Sequence, residues 1–442
     1  MKKIFKKAAF VSLILASSSS ISNAQMTLTG ELRPRFEYLH GYGSPSDTLK
    51  KSSQFIIQRT RLNFGYKADN FKTGIVLQDV RVWGSQSQLN LGDGGAAFGM
   101  HEAWGEYSFN KKTSMKMGRQ ELSYDDERML GGGNWNQQGR SHDAFVLKYN
   151  DSTFTANAGL AYNQNTAYTV GTAYSVLKSY KEMQYLWLNK QMKSLNVSLL
   201  VLNVGQQSLA AVNSTRYVTT IGTHTEYKAK PLYAGLNFYY QIGDDIAGLN
   251  GKIRTVNAMN FAFDAAYTVK EKITIGLGYE YLSGQSGTDT TTAYKLVNHA
   301  FNPFFGTNHK FNGFMDYYYV GNHINSCGLQ DISVKLKYKV EKWNLALDFH
   351  QFMAAADVLD SKELVKSGQY KAMNSSFGSE FDLTFGYNLT GGVGIVAGYS
   401  HYLPTETLGI VKNVKDWKGD GRVDQTSNWA YVMITFKPNF LK

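Results

Sequence analysis

The chain has 442 residues, a formal charge of +11, one cysteine (Cys327), and 42 glycines, 29 tyrosines and 25 phenylalanines against 6 prolines. A single cysteine excludes a disulfide-stapled fold, and a charge this modest for the length gives no sign of a nucleic-acid partner. Aromatics and glycine with little proline suit long strands and tight turns.

The chain opens on Lys2, Lys3, Lys6 and Lys7, a short apolar run from Ala8 to Ala16, and the small-x-small sequence Ser22-Asn23-Ala24. These features predict a cleaved signal peptide over residues 1–24 and export from the cytoplasm. The apolar run is far below the ~20 residues a membrane helix needs. Residues 25–442 are then expected to form one domain, with no plug domain ahead of it.

From residue 26 the pattern has period two. Met26, Leu28, Leu32, Phe36 and Tyr38 share one face, and Thr27, Thr29, Glu31, Arg33, Arg35 and Glu37 share the other. Alternate side chains of a strand point to opposite faces, so one face is apolar and the other charged. The theme returns at Ile273–Tyr281, Ile332–Val340 and Phe381–Tyr387. Short polar breaks fall near 69–70, 110–112, 150–151, 192–194, 230–231, 270–271, 341–342 and 391–392. Long polar or glycine-rich stretches fall near 40–52, 84–98, 122–139, 163–180, 205–215, 242–251, 283–327, 355–376 and 403–426. The strict alternation of short and long connections matches the periplasmic turns and outer loops of a membrane barrel. No repeat of propeller length is present. The predicted fold is all-β, a closed antiparallel transmembrane β-barrel of about 18 strands, with 16 the alternative. Tyr66, Tyr107, Tyr149, Tyr279, Tyr338 and Tyr387 are expected in the interfacial girdles. The alternating strand Trp429–Phe436 is expected to close against the first.

A barrel this wide leaves a lumen that its own side chains do not fill. The stretch 283–327, with Phe301, Phe304, Phe305, Phe311, Phe314 and Tyr317–Tyr319, is too aromatic to sit in solvent, and is expected to cap or constrict the lumen. Eight of eleven arginines precede residue 141: Arg33, Arg35, Arg59, Arg61, Arg81, Arg119, Arg128 and Arg140. Arg33 and Arg35 share a face, as do Arg59 and Arg61 on the expected neighbouring strand. Asp79, Arg81, Glu102 and Glu106 are expected to follow into the lumen, with Lys335 and Lys337 as a second basic row. The parity of Arg119 is left open by Met115 and Met117. Guanidinium forks grip carboxylates in a bidentate way, and basic rings select anions in pores. The competing expectation is a ladder of Arg–carboxylate pairs bracing the wall.

Enzyme chemistry finds little support. His142-Asp143, His299, His309 and His350 have no recognisable spacing to a serine nucleophile, and no metal or other cofactor motif occurs. Asp416–Asp424 only faintly resembles a calcium loop and lacks its terminal Glu.

The series Arg33-Pro34-Arg35-Phe36-Glu37, Gln58-Arg59-Thr60-Arg61-Leu62, Gln78-Asp79-Val80-Arg81-Val82-Trp83-Gly84, Glu102–Tyr107, Gly118–Arg128, and Gly139-Arg140-Ser141-His142-Asp143-Ala144 resembles the alginate export family of outer-membrane proteins. The stretch Phe301–Tyr319 resembles its Bacteroidota version. The resemblance implies an 18-stranded outer-membrane barrel with an arginine-lined conduit for a uronate polysaccharide. It implies pore or loop-anchoring roles for the eight arginines, with Asp79, Glu102 and Asp143 as counter-charges. The expected function is a passive outer-membrane channel for an anionic saccharide. A general or anion-preferring porin is the alternative, with an adhesive barrel or an outer-membrane hydrolase further behind. Expected partners are outer-membrane lipid, the anionic solute and unnamed periplasmic export proteins.

Overall fold

A computed structural model describes residues 25–46, 51–89, 96–174, 176, 179–208, 214–246, 249, 252–322, 326–414 and 426–441. The expected signal peptide and the stretch Asp416–Asp424 lie outside them.

The strands are β1 (Gln25–His40), β2 (Ser53–Lys67), β3 (Phe71–Val82), β4 (Ala96–Ser108), β5 (Thr113–Gln120), β6 (His142–Asn150), β7 (Phe154–Tyr162), β8 (Glu182–Met192), β9 (Leu195–Gln207), β10 (Thr215–Ala229), β11 (Leu232–Asp244), β12 (Thr255–Val269), β13 (Ile273–Leu282), β14 (Val297–Asn298), β15 (Leu329–Val340), β16 (Trp343–Met353), β17 (Ser376–Thr390), β18 (Val393–Pro404) and β19 (Ser427–Phe436). β14 is a two-residue segment of a loop, paired in parallel with β12. The other eighteen form one antiparallel sheet in chain order. β19 closes it on β1, with Phe36 opposite Val432 and Tyr38 opposite Ala430. Closure leaves no sheet edge, the condition for strands to cross lipid, which offers no hydrogen bonds.

The pleat separates two faces. On β15, Ile332, Val334, Leu336 and Tyr338 are exposed on the outside, while Asp331 and Ser333 are buried within. Outward aromatics gather by the short turns. Tyr66 lies 5.4 Å from Phe71 and Trp343 lies 4.8 Å from Tyr387, centroid to centroid. These are girdle positions. Tyr279 stands higher on the wall, where its hydroxyl donates to Gln330 Oε1 at 3.0 Å.

The inner face carries its own device. Gly74, Gly159, Gly222 and Gly398 stand opposite Trp104, Tyr185, Tyr239 and Tyr431. Each ring lies over the facing glycine, where a Cβ would come within 2.6, 2.0, 2.1 and 2.1 Å of it. Cross-strand aromatic cover of glycine pins register in sheets. Gly398→Val is therefore expected to displace Tyr431 and destabilise the barrel by about 1–3 kcal/mol, the cost of overpacking. Urea unfolding of the detergent-solubilised protein checks this, and an unchanged midpoint contradicts it.

Candidate functional site

Two long connections turn inward rather than out. Residues 121–141, between β5 and β6, and residues 299–320, between β13 and β15, pack inside the wall. Met129, Leu130, Phe301, Met315, Tyr317 and Tyr318 are buried against inward residues such as Leu200, Leu202, Phe352, Tyr402 and Trp429. The aromatic side chains of residues 299–320 thus lie among inward wall residues.

One wall grips the first loop through arginines. β1 and β2 set Arg33 and Arg35 beside Arg59 and Arg61 on the inner face, Arg33 directly opposite Arg59. Arg33 donates to the carbonyls of Asn134 (2.9 Å) and Asn136 (3.2 Å) and to Gln137 Oε1 (3.0 Å). Arg35 donates to the Trp135 carbonyl at 3.0 Å and lies over the Trp135 ring, 4.5 Å from its centroid. Arg59 reaches the Gln137 carbonyl at 3.4 Å and Arg61 the Gln138 carbonyl at 3.4 Å. Arg35 and Arg59 also pair with Glu37 and Glu31 at 2.8 and 2.5 Å. The remaining side-chain partners of Arg61 are Gln78, Asn134 and His101. His101 reaches the lumen beside Glu102 because β4 is bulged there, the pairing with β3 shifting between Val76 and Leu77.

A second stretch of wall, on β13, β15 and β17, grips the second loop through carboxylates. The backbone N–H of Met315 donates to Glu380 Oε1 at 2.8 Å and that of Phe314 to Asp382 Oδ2 at 3.3 Å. Asn312 Nδ2 donates to Glu280 Oε2 at 2.8 Å and Asp331 Oδ2 at 3.3 Å. His350 Nδ1 lies 2.9 Å from Asp331, so this histidine is held by a wall carboxylate and by its stack on Phe352. The basic stretch on β1 and β2 and the acidic stretch on β13, β15 and β17 thus hold different loops, and each offers what peptide groups need: donors for C=O, acceptors for N–H.

The loops are bolted to one another. Gly131 N–H donates to the Phe305 carbonyl at 3.0 Å, and Thr307 N–H to the Glu127 carbonyl at 2.9 Å. Trp135 stacks on His309 at 4.5 Å. Arg140 donates to the carbonyls of Gly131, Phe305 and Gly306. Burial lowers its pKa from the usual guanidinium range, against the smaller opposing pull of Tyr319 and Glu127. Arg128 pairs with Asp126, Asp264 and Glu280, fastening the first loop to β12 and β13. Lys412, in the loop before β19, donates to the Tyr317 carbonyl, and burial pushes its pKa down to about 8.

Four expected lumen residues lie elsewhere. Gln78 points inward to Arg61, so Asp79 and Arg81, its alternate neighbours, face outward, opposite Thr60 and Gln58. Arg81 forks onto Asp79 at 2.6 and 2.9 Å. Arg119 shares the outer face with Met115 and Met117 and pairs at 3.0 Å with Asp143, also outward because His142 is buried inside. These two pairs belong to the outer surface. Glu102 faces inward and accepts from Glu121 N–H at 2.7 Å. Lys335 and Lys337 face inward below the loops. Reading the sequence missed the carbonyls of residues 134–138 and the pairing of Glu380 and Asp382 with loop N–H groups.

The eighteen-strand antiparallel wall with inward loops defines the protein as an outer-membrane channel for polar solutes. Solved structures share the architecture. Acinetobacter baumannii OccAB4 has 12% identity, the match covers 94% of this chain and 98% of that one, and the TM-score is 0.61. Pseudomonas aeruginosa OccK11 (OpdR) has 12% identity, 94% and 96% coverage, and a TM-score of 0.57. OccK2 (OpdF) from the same organism, solved in complex with glucuronate, has 10% identity, 94% and 99% coverage, and a TM-score of 0.57. Residues 24–414 match the alginate export family, to which the chain belongs. No curated protein sequence matches it.

Removing the Arg140 side chain strands carbonyls of both loops, at about 1–3 kcal/mol for buried groups left unpaired. Arg140→Ala is expected to speed amide exchange at Gly131 and Thr307 by roughly tenfold or more. Unchanged exchange would show that the bolt carries no load.

Proposed function

We propose that the channel passes an acidic saccharide of the uronate class, and that solute carboxylates displace the loop oxygens from the arginines of β1 and β2. The observation that carries this reading is the partner set of Arg33 and Arg61. Both face inward, and neither forms an ion pair among the described residues: their hydrogen-bond partners are carbonyls, side-chain amides and His101. A carboxylate makes shorter, roughly twice stronger bonds to guanidinium than a neutral oxygen does, so it can compete for these donors while an uncharged sugar cannot. Membership of the alginate export family supports a uronate. The glucuronate complex of OccK2 and the vanillate complex of OpdK are further support, since both ligands carry a carboxylate.

The acidic wall favours a second reading, an anion-preferring diffusion porin whose transverse field orients polar solutes without holding any. Planar-bilayer recording separates the two. In a KCl gradient the channel is expected to prefer anions, and tetrauronate is expected to block the current. Arg33→Gln with Arg61→Gln is expected to weaken the block about tenfold, the worth of roughly 1.4 kcal/mol. Arg119→Gln, on the outer surface, is expected to leave it unchanged. Anion preference without block supports the porin, and a preference for cations contradicts both.

A further inference from the structure

A cavity of about 560 Å³ lies under the two loops, against β9 to β15. It opens on the side of the short turns. Lys337 stands near the end of β15 at Val340, and Thr268 and Thr274 flank the connection between β12 and β13. Its roof comes from the loops, as Asp126, Lys310 and Phe311.

Its charges are mostly spent. Asp126 and Asp264 pair with Arg128 at 3.0 and 3.4 Å. Lys228 pairs with Glu226 at 2.7 Å, and Lys310 lies 3.9 Å from Glu127. Lys335 and Lys337 form no ion pair among the described residues. Both face the cavity from one strand, two residues apart, so its β15 wall is locally positive, while the remaining lining carboxylate, Asp125, accepts from Trp187 Nε1 at 3.0 Å. Across from them Phe311 offers a ring, with the Arg128 guanidinium 3.9 Å from its centroid. Thr268 and Thr274 add hydroxyls, 3.0 Å apart.

We infer that this vestibule is a receiving site for an acidic oligosaccharide entering from the periplasmic side, an inference that rests on the function proposed above. Lys335 and Lys337 take carboxylates on successive sugar units. Phe311 takes the apolar C–H face of a pyranose ring, and the threonines take its hydroxyls. The volume falls within the ~300–1,000 Å³ of small-ligand sites, whereas a small inorganic anion would leave it largely empty and make no use of the ring. With the loops seated, the β1–β2 arginines are occupied, so an acidic chain from below meets these lysines first. From outside it meets the loops.

The test is block by tetrauronate added to one side at a time, with insertion orientation read from an impermeant thiol reagent and Lys111→Cys, in the turn after β4, in a Cys327→Ser background. Block is expected to be at least tenfold stronger from the periplasmic side. Lys335→Gln with Lys337→Gln is expected to erase that asymmetry, while glucuronate monomer blocks weakly from either side. Calorimetry on the detergent-solubilised protein is expected to show the same tenfold loss of tetrauronate affinity. Block that ignores both side and lysines overturns the receiving site and leaves the proposed function standing. Neither block nor binding overturns both.

Discussion

Eighteen strands closed on themselves satisfy every strand edge in lipid, and in doing so enclose a lumen wider than inward side chains fill. The rest of the molecule follows from how that space is occupied. Two loops enter it, and their peptide groups, removed from water, need partners. The wall supplies them in sorted form: guanidinium donors on β1 and β2 for carbonyls of residues 134–138, and carboxylate acceptors on β13, β15 and β17 for N–H and amide groups of residues 312–315. Charge on the β1–β2 wall therefore serves the loop first, and in the proposed function it reaches a solute through exchange.

In the proposed function, that exchange ties structure to transport. Hydrogen bonds to neutral carbonyls hold a loop in place but are weaker than those to a carboxylate. Arg128, by contrast, is fastened by three carboxylates, whereas the carbonyls of residues 134–137 meet the arginines as neutral oxygens. The division lies within a single loop of 121–141: a part held by ion pairs to β12 and β13, and a tip held to β1 and β2 through neutral oxygens, the part that exchanges in the proposed function.

Much of this was legible in the sequence. The alternation of short and long connections set strand number and orientation, and on β1 the contrast of Leu32 and Phe36 with Arg33 and Arg35 set the inner face. The reading failed where polarity inverts toward the long-loop ends. There the outer face leaves the apolar band and tolerates Asp79, Arg81, Arg119 and Asp143. The inner face turns apolar because loops pack on it, burying Val80, Ala144 and Val146. Period two then still marks two faces but no longer says which is inside. The apolar run Leu199–Leu202 carried a warning, since a strand apolar on both faces is covered on both. Loop carbonyls have no sequence signature, so the true partners of the arginines could not be read.

In the proposed function the tip of the first loop leaves the arginines when an acidic saccharide arrives. Distances between nitroxide labels at Gln138→Cys on the tip and Lys111→Cys in a short turn, in a Cys327→Ser background, test it directly. Saturating tetrauronate should add a second, longer population to the distribution, and Arg33→Gln with Arg61→Gln should produce that population without any solute. An unchanged distribution in protein whose current is fully blocked would contradict the account and assign the block to a rigid lumen.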